Sequence, residues 1–565
     1  MLLFLAGWAA WAGVEVARAA SSGGDGIRLG RAAAASAADG ALTDAGPLAD
    51  LRRSQAQFES ARRSLHSLPL KGVGVLPVVG RQVRELQTLS EGAVEVAGVS
   101  ADTLEAAQAA LAGDRSDGPQ RVALIRALGA VADEGARRTA AVRRSPGRNL
   151  VGPVRERHDE FGREVDRLRS TLEGAAAGAT ATADLLGGPR RYLVLAANNA
   201  EMRAGSGMFL SVGALETRDG TLRLLPFTAA GDLKLKAPGV PISGDFADRW
   251  GWLSPGQEWR NLGVSPRFDQ TAPLAASMWQ AAGRGTVDGV LAVDPLFLKA
   301  VLEAVGPVEA AGQRLDSSNV TARILHDQYV DHADDPDQGA RREELGLVAS
   351  AILGALETRS WDPGRLGKAV AGAARDRHVL AWSSRPDEQR GWVAAGIDGA
   401  LDGDSLLLGV LNRGGNKLDQ FLSVDASLDV GSSGDKVEGV LTVRLRNDVP
   451  TGEPRYVAGP DPNSGVGEGV YLGLLSVNLP GTARQARIDG VSQLAVAGAD
   501  GPTRVVGTEV IVPRGERRTF VVRFEMPPGP GSLRVEPSAR VPFVEWAAQQ
   551  RTLLWSHGPQ SVKWW

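Results

Sequence analysis

Residues 190–216 read RRYLVLAANNAEMRAGSGMFLSVGALE, and the partition of the whole chain follows from them. The apolar, β-rich runs at 192–196 and 208–215 predict two strands. The polar segment between them predicts a loop that sets Asn198, Asn199, Glu201 and Arg203 beside Gly205 and Gly207. Strands on both sides hold such a loop on a buried sheet. A guanidinium and two carboxamides on a rigid rim suit a phosphate or carboxylate, because planar donors match paired oxygens. The same residues also make an ordinary hydrogen-bonded turn with a salt-bridged arginine. The residues alone leave both readings open.

Downstream, Arg218-Asp219-Gly220 predicts a tight turn into a third strand at 221–227. A Pro/Gly-rich loop follows at 228–271, carrying Asp232, Arg267, Asp269, Trp250, Trp252 and Trp259. Loops of that length inside a domain are usually functional. Its tryptophans either form a sugar platform or pin the loop down. A helix at 273–283, a strand at 287–294 and a helix at 295–305 predict an α/β layer. A helix at 320–330 leads into an acidic loop containing Asp331, Asp334, Asp335 and Asp337, and Arg341 and Arg342 open a helix reaching 356. That loop lacks the ligand spacing of an EF-hand, and carboxylates before a helix also suit its dipole. After 403 the pattern alternates in strands such as 441–446 and 520–526, predicting an antiparallel β-sandwich.

Upstream, 3-4 spaced Ala-rich stripes over 47–186 predict an N-terminal α-helical stalk of closely packed helices, broken at 69–80 and 146–153. Its arginine pairs, Arg143/Arg144 among them, read as solvated faces. The Ala/Gly/Ser-rich run before it reads as a linker. Residues 1–14, MLLFLAGWAAWAGV, span roughly 21 Å as a helix, short of the ~30 Å hydrocarbon core. No basic residue precedes them, which fits a membrane anchor or export signal whose true start lies upstream. The expected multi-domain division is therefore an anchor or signal at 1–20, a flexible linker at 21–46 and the helical stalk at 47–186. A central α/β (α+β) domain at 187–402, a β-sandwich at 403–545 and a Trp-rich tail at 546–565 complete it.

The chain of 565 residues has 63 basic and 66 acidic side chains, a net charge of −3. No nucleic-acid partner follows from that balance. With no cysteine, disulfides, thiolate nucleophiles and Cys-ligated metals are excluded. Neither a Rossmann glycine motif nor a P-loop is present. The dominance of Arg, Ala and Gly suggests a GC-rich bacterial genome.

RRYLVLAANNAEMRAGSG, TVDGVLAVDPLFLKAVLEAVGPV, GVLNRGGNKLDQFLSV and the LPVVGRQV break resemble the domain-of-unknown-function family 4012, membrane-anchored envelope proteins mostly from actinobacteria. The order of parts also resembles, more remotely, the LytR–CpsA–Psr phosphotransferases, which attach lipid-pyrophosphate-linked glycopolymers to the wall. The resemblance implies a LytR–CpsA–Psr-like central fold in an extracytoplasmic, membrane-tethered protein. Its lipid-pyrophosphate or glycan site would comprise Asn198, Asn199, Glu201, Arg203, Arg267, Arg341 and Arg342, with Asp232 and Asp269 holding Mg²⁺. If it is an enzyme, it would be a Mg-dependent glycopolymer phosphotransferase acting on a polyprenyl-pyrophosphate glycan or cell-wall polymer. Asn199 stands where that family has Asp, and Glu343 and Glu344 stand where it has Gln. A carboxylate near a phosphate site opposes anion binding. The alternative is a non-catalytic envelope scaffold that binds a polymer or partner.

Overall fold

The computed structural model describes residues 2–38, 41–73, 77–113, 117–333, 339–433, 436–462, 464–550 and 552–564. The side chains of residues 1–13 lie outside the described set, and with them most of the expected anchor. Among the described residues, no helix is long and apolar enough to cross a membrane. The chain forms two compact units, Met1–Asp184 with Pro363–Lys368, and Leu185–Asp362 with Ala369–Trp565.

The first unit is helical: α1 (Leu2–Ala38), α2 (Ala45–Leu65), α3 (Leu68–Val73), α4 (Val79–Leu111), α5 (Gly118–Ala140) and α6 (Gly152–Gly187). The run at 21–46, expected to be a flexible linker, is helical through Ala38 and packs on α2. Ser54 Oγ donates to Gly26 O at 2.8 Å, and a Cβ on Gly26 would sit 2.9 Å from the Phe58 ring. The small residues that suggested a linker instead let α2 approach closely. Gly92 does the same on α4, where a Cβ would meet Phe161 at 2.7 Å. A capping box formed by Asp117 and Gln120 starts α5.

The second unit opens with a sheet built from β1 (Arg190–Met202), β2 (Gly207–Arg218), β3 (Thr221–Leu224), β4 (Thr228–Ala229), β5 (Gly289–Val293) and a later strand at Val379–Ser383. The last pairs antiparallel with β5, β5 pairs parallel with β1, and β1 pairs antiparallel with β2. Asp219 and Gly220, both at positive φ, make the tight turn between β2 and β3 that the sequence predicts. The loop after β4 carries α7 (Gly244–Trp250), and α8 (Phe268–Ala281) starts five residues earlier than expected, with Pro273 inside it. Asp294 caps α9 (Pro295–Val305), its Oδ1 accepting from Leu296 N at 2.9 Å and Phe297 N at 3.1 Å. The hairpin β6 (Val308–Ala310) and β7 (Gln313–Leu315) follows. Next come α10 (Val320–Ala322), a π-helical turn at Arg323–Asp327 and α11 (Gln328–Asp331). Further helices are α12 (Gly339–Thr358), α13 (Pro363–Arg375) and, after β8 (Val379–Ser383), α14 (Pro386–Ala394).

Two six-stranded sheets form the rest. One has the order β13 (Arg484–Ile488), β16 (Arg517–Met526), β11 (Lys436–Asn447), β10 (Leu422–Ser433), β18 (Glu545–Ala548), β19 (Leu553–Trp555). The other runs β14 (Val496–Asp500), β15 (Thr503–Val512), β12 (Tyr471–Pro480), β9 (Ser405–Asn412), β17 (Gly531–Glu536), β20 (Gln560–Trp564). They are antiparallel except at β10/β18 and β9/β17. The expected Trp-rich tail is part of these sheets. Trp546 and Trp564 are buried in the core between them, and Trp546 stacks on Trp555 at 5.7 Å.

Every residue of β9 and β12 is buried, as in a strand covered on both faces. Leu406, Leu408 and Val410 enter the core between the two sheets, whereas Leu411 and Leu474 join the core of the α/β layer beside Leu195, Phe209 and Trp259. The second sheet therefore serves two cores, and the α/β layer is packed against it.

Candidate functional site

The polar segment at 198–203 is not a rim loop. β1 continues to Met202, and its pairing with β2 slips between Asn198 and Met202, so that Asn198 faces Met208 and Met202 faces Gly207. A bulge of this kind re-aims side chains, and all of 198–203 is buried. The sequence reading equated polar with solvated. Here the polar groups face polar partners, some from the α/β layer itself (Tyr329, Asp294, Arg260, Asn261) and some from β9 and the turn after it (Asn412, Lys417, Asp419).

Asn198 donates to the Tyr329 hydroxyl at 2.5 Å and accepts from Ala200 N at 2.8 Å. Asn199, fully buried, donates to Asp294 Oδ2 at 2.8 Å and to Ala539 O at 2.7 Å. Asp294 also holds His378 Nδ1 at 2.6 Å. Glu201 pairs with Lys417. Burial pushes the Lys417 ammonium down, to about 7, while the Asp419 carboxylate pulls it back up. Met202 N donates to Asp419 Oδ2 at 2.9 Å.

Arg203 is the residue on which an anion site would depend, and its donors are used inside the protein. Nε donates to Arg260 O at 3.0 Å, and Nη1 to Met202 O at 3.1 Å and Asn412 O at 2.6 Å. Nη2 donates to Asn261 Oδ1 at 3.0 Å. Four of the five N–H groups of a guanidinium are thus taken by neutral acceptors. Burial lowers its pKa to about 10, with Asp419 opposing.

Asp419 is the hub that the sequence did not single out. It is fully buried and accepts from Arg540 Nη1 at 2.7 Å, Tyr471 OH at 3.0 Å and Asn412 Nδ2 at 2.9 Å, besides Met202 N. Burial, reinforced by this carboxylate, pushes the Tyr471 phenol well above 10. A buried carboxylate is stable only with such a set of donors. The signal was present in GVLNRGGNKLDQFLSV, where Asn412, Lys417 and Asp419 interrupt two apolar runs.

The remaining expected site residues fall into three places. Arg341 is buried with its guanidinium 4.9 Å from the ring centroid of Tyr329, the tyrosine that Asn198 bonds. Lys417 Nζ lies 5.0 Å from the same ring and 5.0 Å from that of Tyr456, so Asn198, Glu201 and Arg341 do gather around Tyr329. Arg342 is exposed. Arg267 sits apart among carboxylates, with Asp269 at 3.1 Å, Asp245 at 3.6 Å and Asp500 at 4.0 Å. Asp269 is thereby committed to an arginine, and Asp232 is exposed on a 3-10 turn. Among the described residues no group of three or more His, Asp or Glu is placed to hold a metal, so this pair does not fit the ligand demand of Mg²⁺. In the acidic loop, Asp331 pairs with Arg323, and Asp334, Asp335 and Asp337 lie outside the described residues. Although burial pushes it up, Glu344 is held below the usual carboxylate range by Arg323 and His332. Of the loop tryptophans, Trp250 and Trp259 are fully buried and pin the loop to the core, while Trp252 is exposed under Arg413 at 5.1 Å.

Residues 187–329 match DUF4012, a protein family of unknown function. The DUF4012 match runs from the end of α6 to Tyr329. It therefore contains Asn198, Asn199, Glu201, Arg203 and Asp294, while Lys417, Asp419 and Arg540 lie beyond it. No curated protein and no solved structure matches the chain.

Proposed function

We propose that this chain is a membrane-tethered, extracytoplasmic envelope protein that works as a non-catalytic scaffold, presenting its β-sheets to a polymer or partner. The use of Arg203 carries the reading. A diphosphate-binding arginine keeps its fork free for paired oxygens, whereas this one is spent on the carbonyls of Met202, Arg260 and Asn412. Removing it from them would leave buried acceptors unpaired, which is costly. The apolar residues 1–14 support the envelope setting.

A second reading, a lipid-pyrophosphate or glycan site with or without transfer, draws on the cluster of Arg341, Lys417, Tyr329 and Tyr456. Tyr456 stacks on Tyr329 at 5.5 Å and is 42% exposed, so an aromatic face with two cations nearby is open to solvent. Calorimetric titration of the purified chain with a polyprenyl pyrophosphate and Mg²⁺ separates the two. The scaffold reading expects no saturable binding; binding that is lost in Arg341→Ala and Tyr456→Ala would overturn it. Protease treatment of intact cells tests the compartment: digestion without lysis is expected, and protection until lysis contradicts it.

A further inference from the structure

Between α4 and α6 the helical unit holds a cavity of about 250 Å³, lined among others by Arg143, Arg144, Ser145, His158, Phe161 and Gly162. Its wall is the connection at 141–151, and that wall is fastened in place. Gln82 donates to Asn149 O at 3.2 Å and accepts from Val151 N at 3.1 Å. Glu85, itself buried, accepts from Ser145 Oγ and holds His158 Nδ1 at 2.8 Å. Gly147, at a φ of +61°, fits against the imidazole: a Cβ there would lie 2.6 Å from His158 Nε2. Two carboxylates bear on these residues, and both are engaged. Glu85 takes the serine and histidine, and Asp166 takes Arg144 Nη1 at 2.8 Å. Arg143 has no hydrogen-bond or ion-pair partner among the described residues.

We infer that this cavity binds a small phosphorylated molecule, its oxyanion on Arg143 and Arg144 and its body on Phe161. Both arginines are exposed, as the sequence reading has them, and they line this open-sided cavity. Guanidinium groups match phosphoryl oxygens in charge and geometry, and the half-buried phenyl ring offers an apolar surface. The volume is below the range of drug-sized ligands, which suits a group as compact as a phosphorylated monosaccharide. The same chemistry is offered by a free sugar phosphate and by an anionic lipid headgroup.

Calorimetry on the full chain, with inorganic phosphate, glucose 6-phosphate and glucose as soluble probes and phosphatidylglycerol vesicles as the lipid probe, tests this. Saturable binding of a phosphorylated probe, absent for glucose and weakened by salt, is expected. Arg143→Ala should weaken it at least about tenfold, and Arg148→Ala, at an arginine of the same connection that does not line the cavity, should leave it unchanged. A Cβ on Gly162 meets nothing within 4 Å, so Gly162→Leu fills the cavity without disturbing the helix, as circular dichroism would verify, and should abolish binding. Vesicle binding blocked by the same two variants, with no soluble probe bound, assigns the phosphate to a lipid. No saturable binding of any phosphorylated probe, or binding indifferent to both variants, overturns the inference.

Discussion

Asn199, Arg203 and Asp419 are buried polar side chains whose value depends on every partner being present. Asp419 shows the asymmetry most clearly. Asp419→Ala strips Arg540, Tyr471, Asn412 and the Met202 amide of one acceptor at once. Breaking a buried charge pair from one side costs about 3–5 kcal/mol, so urea denaturation should show a loss of that order. His326 contributes a smaller, pH-dependent effect. Burial opposes its charge, but Glu453 at 3.0 Å and Asp327 at 3.1 Å overcome this and raise its pKa above 6.5. A raised histidine stabilises fully below its unfolded pKa, and the benefit is lost as pH climbs through the folded value. Wild type should therefore gain on His326→Gln by up to about 1 kcal/mol at pH 5.5, screened because the ring is partly exposed, and the gap should close by pH 8. Paired denaturation curves at the two pH values check the sign.

At the scale of elements, strands and helices were readable where one face alternates or a 3-4 stripe repeats. β5 and α9 lie where VDGVLAVD and the residues after it predict them, and β11 and β16 show the alternation of an exposed sheet face. The end of β1 was misread because pattern rules assign polar runs to solvent. Nothing local announces that Asp419 and Lys417, over two hundred residues away, come to meet them. The helix at 21–38 was misread for a related reason: Ala and Gly carry little amphipathic signal, yet they form a close helix seam. Gly409 marks a close approach of the second sheet to the α/β layer, since a Cβ there would lie 3.0 Å from Ala204 Cα, and within its own sheet 2.9 Å from Ser476 Oγ. Gly409→Val should destabilise by about 1–3 kcal/mol through overpacking, read as a lower thermal midpoint, whereas Gly431→Val, with nothing within 4 Å, should cost far less.

Across the second unit, the α/β layer and the sheet pair are joined by a shared apolar core and by polar ties from one strand end. Leu411, Leu474, Val496 and Val505 belong to the same core as Leu195 and Trp259. The NNAEMR segment adds the hydrogen bonds that set how β1 meets β9 and the turns beyond it. The resemblance implied a ligand for Arg203, whose donors here go to Arg260 O, Met202 O, Asn412 O and Asn261 Oδ1; sequence similarity records which residues occur and not what faces them. The central claim is that Arg203 is an internal tie. Replacing it by methionine keeps most of its length and removes all donors, and equilibrium urea denaturation of Arg203→Met tests the claim most directly. The account predicts a loss of about 3 kcal/mol or more, since several buried acceptors lose charged donors at once. A variant within about 0.5 kcal/mol of wild type, the behaviour of an ordinary surface position, would contradict it.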